Sequence, residues 1–292
     1  MDAVIPESQG LPTANQLLVE AAVSLQAAGV GTPRLDAEVL LAAAWRVDRA
    51  ALYARRRDVV PAPVRDTFAM MCRQRITREP LQYIIGRQEL WSLDFVVTPD
   101  VLIPRPETEL LIQVSIDLLA SSVARPPTIC DVGTGSGCIA VALARELPDA
   151  HIWALDASST ALRVAKLNAE RQGVAERVRF LESDLFASVH RKLFDLIVSN
   201  PPYVGSDEMV CLQPEARCEP AYALDGGIEG LDVIKRLVPA AHDRLVPGGW
   251  LVMEIGAGQG VAVEALGRTA QFETVALRTD YSRLPRALVA RR

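Results

Sequence analysis

TICDVGTGSGCIAVALARELP, residues 128–148, carries the reading that decides the fold. Strand-forming residues run to Val132, glycines follow at 133, 135 and 137, and an Ala-rich apolar segment begins at once. A strand that turns through glycines into a helix opens a βαβ unit. The alternation continues on both sides of the sheet this implies. HIWALDA (151–157) reads as a strand, STALRVAKLNAERQG (159–173) as a helix, and RVRFLESDL (177–185) and FDLIVSN (194–200) as strands. After an irregular stretch come a helix at 230–245, a strand at 249–256, a helix at 258–269, and strands at 272–280 and 286–292. The expected fold is α/β and Rossmann-like, a mostly parallel sheet covered on both faces. The last two strands have no helix between them, which predicts an antiparallel C-terminal edge.

The segment before this core has a different period. Residues 13–79 read as helices: Thr13 caps a segment with Leu17, Leu18, Ala21, Ala22 and Leu25 at helical spacing, ended by Gly29, and Thr32 with Pro33 opens the next. LQYIIGRQELWSLDFVVTPDVLIP (81–104) is β-rich and reads as a hairpin-like connector. PRPETELLIQVSIDLLA (104–120) opens a helix near Pro106, and SSVARPP (121–127) is a linker. The expected division is a small all-α N-terminal domain at 1–79, a connector at 80–105 and an α/β domain at 106–292.

Composition narrows the class. Half of the 292 residues are hydrophobic, enough for sizeable cores, and the net charge is −5. Nucleic-acid binders usually carry a basic surface, and direct nucleic-acid binding is not expected. YARRR (53–57) and RQRITR (73–78) are candidates for a local basic patch, but both read more readily as solvated helix faces. The five cysteines and three histidines have no metal-ligand spacing, so no metal is expected, and an odd thiol count fits a reducing compartment. Residues 1–10 lack a signal-peptide pattern, and no apolar run reaches a membrane span. A cytoplasmic protein, expected to be a monomer, follows.

The glycine loop suits a ligand that comes close to the backbone, although a tight turn with no ligand would use the same glycines. Two more strand ends share its rim. Asp156 closes ALDAS and can accept both hydroxyls of a ribose, a role compatible with capping the next helix. Asp184 and Leu185 close ESDLF. The spacing is GxGxG and not the dinucleotide GxGxxG, and no basic residue lies between Asp131 and Ala144. A cofactor without phosphates fits best, which points to S-adenosylmethionine (SAM) ahead of a nicotinamide dinucleotide.

VSNPPYVG, residues 198–205, gives the chemistry. An amide or aromatic NH2 is a poor nucleophile because its lone pair is delocalised. The Asn200 side-chain oxygen and the Pro201 carbonyl can each accept one of its N–H bonds, hold it and aim the lone pair at a methyl carbon. Pro201 and Pro202 restrict the residues before them to extended backbone, so the acceptors are set in advance. Tyr203 offers a flat face for stacking. An ordinary strand-ending turn would also use Asn and Pro.

Together DVGTGSG, ALDAS and VSNPPYV resemble class I SAM-dependent methyltransferases that methylate amino groups. NPPY does not separate adenine-N6 or guanine-N2 nucleic-acid enzymes from protein glutamine-N5 enzymes. IPRPETE, residues 103–109, resembles the signature of the HemK/PrmC family, and EPAYAL (219–224) and GIEGLD (227–232) extend the likeness over nearly the whole chain. The resemblance implies a SAM-dependent enzyme that methylates the glutamine of the GGQ motif in peptide-chain release factors, with the helical module docking that protein. It implies that Gly133, Thr134, Gly135, Ser136, Gly137 and Asp156 bind SAM, that Asp184 and Leu185 flank its adenine, that Asn200, Pro201, Pro202 and Tyr203 hold the glutamine with Asn200 also near the SAM methyl, and that Glu107 and Glu109 sit near the cofactor. A helix-start role is equally compatible for the two glutamates. Leu185 stands where relatives often carry tryptophan, MEIG (253–256) replaces a common EHG-type ending, and the tail lacks a GRDR run. The rivals are a nucleic-acid amino-methyltransferase, which needs a recognition segment and a basic groove, and a non-catalytic SAM-binding or protein-binding module, against which the intact motifs count.

Overall fold

The computed structural model describes residues 11–120 and 125–292. The signal-peptide reading of residues 1–10 and the linker reading of residues 121–124 fall outside the described residues. The chain divides into two compact units, Met1–Ile85 and Gly86–Arg292.

The first unit is helical. Thr13 starts α1 (Ala14–Ala27) with a complete capping box: its hydroxyl accepts from the Gln16 N–H, and the Gln16 side chain accepts from the Thr13 N–H. α2 (Pro33–Trp45) has Pro33 in its first turn. α3 (Arg49–Ala54) is capped by Asp48, and α4 (Ala62–Ile76) and α5 (Leu81–Ile85) complete the unit. Leu18, Leu25, Leu40, Leu41, Leu52 and Phe68 form its core.

Thr32 occupies the N-cap position of α2 as expected, but its hydroxyl makes no cap bond and donates instead to Asp36 Oδ1 at 2.7 Å. Two expectations, for Arg75 and for Leu81–Ile85, are corrected by the fold. Asp36 is buried and pairs with Arg75 at 2.7 Å, so Arg75 is a core residue and not part of a solvated face. Leu81–Ile85 is helical, not β-rich. Its Leu81, Ile84 and Ile85 share a helical face packed on the unit's core, and so short an apolar run fits either period until packing decides.

The second unit begins with a hairpin, β1 (Arg87–Leu90) and β2 (Leu93–Val96), turned through Trp91 and Ser92, which both have positive φ. A 3₁₀ turn at Pro106–Thr108 leads into α6 (Glu109–Ala120). Then β3 (Thr128–Val132), α7 (Cys138–Glu146), β4 (His151–Asp156), α8 (Ser159–Arg171), β5 (Val178–Glu182) and β6 (Phe194–Ser199) follow. After the irregular stretch come α9 (Asp232–Arg244), β7 (Leu245–Glu254), α10 (Gly260–Thr269), β8 (Thr274–Thr279) and β9 (Pro285–Arg291).

The seven strands run in the order β5-β4-β3-β6-β7-β9-β8. All neighbours are parallel except those of β9, which runs antiparallel between β7 and β8 and leaves β8 at the edge. The chain moves outward from β3 to β5, then returns to lay β6 against the other side of β3. This reversal opens a crevice at the carboxyl ends of β3 and β6, where open α/β sheets take their ligands. Register completes the placement. Val132 pairs with Ser199 and with Leu155, so the glycine loop, Asn200 and Asp156 emerge side by side.

Candidate active site

A cleft of about 210 Å³ lies on this rim, room for a nucleoside-sized molecule where a single water needs only ~10–15 Å³. Gly133, Thr134, Gly135 and Ser136 line it together with Asp156 at the end of β4 and Asn200, Pro201 and Pro202 after β6. Gly135 has φ +56, a region other residues adopt with strain, and its N–H donates to Asp156 Oδ2 at 2.8 Å. Gly137 has φ +80 and starts α7 against α8; a β-carbon there would lie 3.0 Å from Ala165 Cβ.

Asp156 Oδ1 accepts from the Ser158 N–H at 2.8 Å. Each oxygen thus uses one lone pair on the backbone and keeps capacity for a ligand. The Ser158 hydroxyl, and not Asp156, caps α8 through the Ala161 N–H. Burial raises the Asp156 carboxyl above its ordinary pKa. Below the loop, Asp131 is fully buried, accepts from the Thr134 hydroxyl at 2.6 Å and the Ala140 N–H at 3.2 Å, and is pushed up to about 7 by burial. Its Oδ1 has no partner among the described residues.

Asp184 and Leu185 line the cleft, in the turn after β5 and not in the strand. Leu185 has φ +48. Asp184 pairs with Arg236 of α9 at 2.6 Å, at an exposed rim where such a pair contributes little to stability.

The NPPY segment is held from several directions. The Asn200 amide nitrogen lies 3.4 Å from the Thr108 hydroxyl oxygen. Asn200 Oδ1 and the Pro201 carbonyl accept no bond from the described residues. Tyr203 does not line the cleft; its hydroxyl donates to Glu254 at 3.1 Å and its carbonyl accepts from Gln259 at 2.9 Å. The residue is partly buried against the core on that side of the sheet.

In PETE, Thr108 is the residue that reaches the cleft; neither glutamate lines it. Glu107 is exposed. Glu109 accepts the Trp91 N–H at 2.8 Å and so pins the hairpin turn. IPR and EPAY meet across the mouth. Buried Glu219 accepts from the Ile103 N–H at 2.9 Å and from Arg105, and the Tyr222 hydroxyl donates to the Asp100 carbonyl at 2.7 Å.

Thr108, Asp131, Glu219, Tyr222 and Glu254 were not among the sequence candidates. Asp131 and Glu254 did carry a signal: each is a lone acid inside an otherwise apolar strand, where an ionisable group usually has a purpose. Glu219 and Tyr222 lay in a quoted segment without an assigned role. Thr108 lay inside IPRPETE, where the two glutamates and not the threonine drew the assignment.

Residues 16–86 match the family described as PrmC N-terminal domain, and residues 109–212 match the methyltransferase small domain. The release factor glutamine methyltransferase of Moorella thermoacetica is 42% identical over 281 residues, covering 96% of this chain and 99% of that protein. The Geobacter sulfurreducens protein of the same name is 46% identical over 240 residues, covering 80% and 81%. Among solved structures, the hMettl16 catalytic domain bound to an RNA hairpin aligns with a TM-score of 0.57 at 16% identity, covering 77% of this chain and 81% of that one. A Thermus thermophilus 16S rRNA methyltransferase in complex with AdoMet and guanosine aligns at 0.53 and 20%, covering 70% and 49%. At these identities the structures establish the methyltransferase fold alone.

Proposed function

Because the chain belongs to the release factor glutamine methyltransferase family, we propose that the rim described above is where a methyl group passes from SAM to the side-chain amide of a release-factor glutamine. The enzyme is a SAM-dependent protein-glutamine methyltransferase. The finer reading is that the target is the GGQ glutamine and that residues 1–79 dock the release factor. We place the reaction in the cytoplasm and expect the enzyme to act as a monomer. No helix of the described residues is long and apolar enough to cross a membrane.

The residues of the cleft fit SAM by their chemistry. The glycine loop admits a close ligand, Asp156 keeps acceptor capacity for ribose hydroxyls, and Asp184 and Leu185 border the space for the adenine. Asp156 and Asp184 line the cleft, no basic side chain comes from the glycine loop, and the one arginine among the lining residues, Arg236, is paired with Asp184. That balance suits a cationic ligand and disfavours phosphates. When bound, SAM supplies an electrophilic methyl on a sulfonium.

The single observation that carries the mechanism is the pair of unused acceptors, Asn200 Oδ1 and the Pro201 carbonyl, at the end of β6 beside the glycine loop. Two acceptors aimed at the two N–H bonds of a primary amide hold its nitrogen still and oppose its planarity. With SAM bound, these acceptors would hold the nitrogen lone pair toward the methyl carbon, and the N–H proton shed on methylation would pass to solvent. No strong base is required, and positioning supplies the rate. Pro201 and Pro202 keep the acceptors extended before substrate arrives.

The test is mass spectrometry of release factor and of adenine-containing DNA after incubation with SAM. One methyl on the GGQ glutamine, lost in Asn200→Ala, supports the reading. Methyl on DNA with release factor untouched overturns it.

A further inference from the structure

Three side chains from distant stretches meet behind the substrate face of Asn200. Asn200 Nδ2 lies 3.4 Å from Thr108 Oγ1, and Thr108 Oγ1 lies 3.1 Å from Glu254 Oε2. The other Glu254 oxygen, Oε1, takes the Tyr203 hydroxyl at 3.1 Å. Thr108 and Glu254 are buried, so water does not replace these partners freely.

Hydrogen-bond arithmetic fixes the direction of the chain. A hydroxyl has one proton, and an ionised carboxylate only accepts. Thr108 therefore spends its proton on Glu254 and presents lone pairs alone to Asn200. Of the two ends of the Asn200 amide, only Nδ2 can donate to that oxygen. Oδ1 must then face away from Thr108. The two ends are almost the same size, so sterics do not hold this orientation. Turned over, Asn200 would present N–H to a substrate amide that is itself a donor.

We propose that Glu254, acting through the Thr108 hydroxyl, is the positioning residue that fixes the Asn200 amide with its oxygen toward the substrate. The proposal rests on the reading of Asn200 as the acceptor for the glutamine amide. It gives IPRPETE and MEIG a joint purpose that neither segment shows alone. Glu254 is faced by the Thr108 and Tyr203 hydroxyls, Arg286 of β9, Glu107 and Cys138 of α7. Burial pushes its carboxyl up to about 7, and above that pH it is the pure acceptor the chain needs.

The experiment uses the full-length protein, with release factor as substrate, kcat from methyl incorporation, and SAM affinity by calorimetry. Asn200→Ala should lose ~100-fold or more in kcat. Thr108→Val, which keeps shape and removes the hydroxyl, should lose about 10-fold or more in kcat with SAM affinity within about threefold. Thr108→Ser should recover activity to within about threefold of wild type. Glu254→Gln should fall with Thr108→Val, and the double variant should be no worse than Thr108→Val, because both act on one path. Wild-type kcat in Thr108→Val beside an inactive Asn200→Ala overturns this inference and leaves the catalytic reading intact. An active Asn200→Ala overturns both. If Thr108→Val fails to bind SAM, Glu254→Gln decides: wild-type kcat in that isosteric variant overturns the inference.

Discussion

The carbonyl oxygen of Tyr203 lies so close to Gly230 that a β-carbon there would come within 2.2 Å of it. Gly226 stands in the same relation to the Pro202 carbonyl, at 2.6 Å. The glycine-rich DGGIEG stretch before α9 is thus a bed on which the NPPY backbone rests, and Gln259 clamps Tyr203 and Gly230 together through both carbonyls. At φ +68, Gly230 also occupies a conformation that resists a side chain.

Gly230→Ala should therefore displace the Pro202–Tyr203 backbone. The expected result is a stability loss of about 1–3 kcal/mol together with a fall in kcat larger than any change in SAM affinity. Denaturant melts and steady-state kinetics on the same preparation check it.

Asp156→Ala removes the acceptor of the Gly135 and Ser158 N–H groups and the proposed ribose contact. SAM affinity should weaken by about 10- to 100-fold, the equivalent of ~1.4–2.8 kcal/mol. Calorimetric titration measures it directly. Affinity within twofold of wild type would sink the ribose assignment.

Glu254 and Asp131 are both held up to about 7 by burial, from ordinary values of 4.5 and 3.8. The folded state then binds their protons more tightly than the unfolded chain does. Their stabilising contribution is complete below the unfolded values and is lost as pH rises through about 7. Stability in urea should fall between pH ~4 and ~7, and Glu254→Gln should flatten part of that slope. Activity should run the other way, because a protonated Glu254 can donate, which frees the Thr108 proton to turn toward Asn200. The rise of kcat through pH 7 should be blunted in Glu254→Gln.

In the helical unit, Arg75 and Asp36 form a buried pair whose other contacts include the Thr32 hydroxyl and the Glu79 carbonyl. Arg75→Met alone strands a buried carboxylate and should cost about 3–5 kcal/mol. Arg75→Met with Asp36→Leu should recover much of that loss. Thermal melts of the two variants and wild type give the comparison, and equal losses would show that charge burial is not the cause.

The sequence by itself determined what is local. Alternating strand and helix periods, the Thr13 box and Pro33 set the elements. GxGxG, the terminal Asp156 and NPPY named the chemistry because each needs a fixed order of residue types along one strand end. The structure brings Gly133, Thr134, Gly135, Ser136, Asp156, Asp184, Leu185, Asn200, Pro201 and Pro202 to one cleft. Tertiary structure alone decided the rest. The position of β9 between β7 and β8 is a matter of sheet pairing, which both orders satisfy locally. The helix at Leu81–Ile85 and the burial of Arg75 depend on the core they pack against. The assembly of Thr108, Asn200, Tyr203 and Glu254 depends on partners 51 to 146 residues apart. A hydrogen bond has a direction and a length but leaves no periodic trace in the chain, so only the folded sheet shows which acceptor each donor meets.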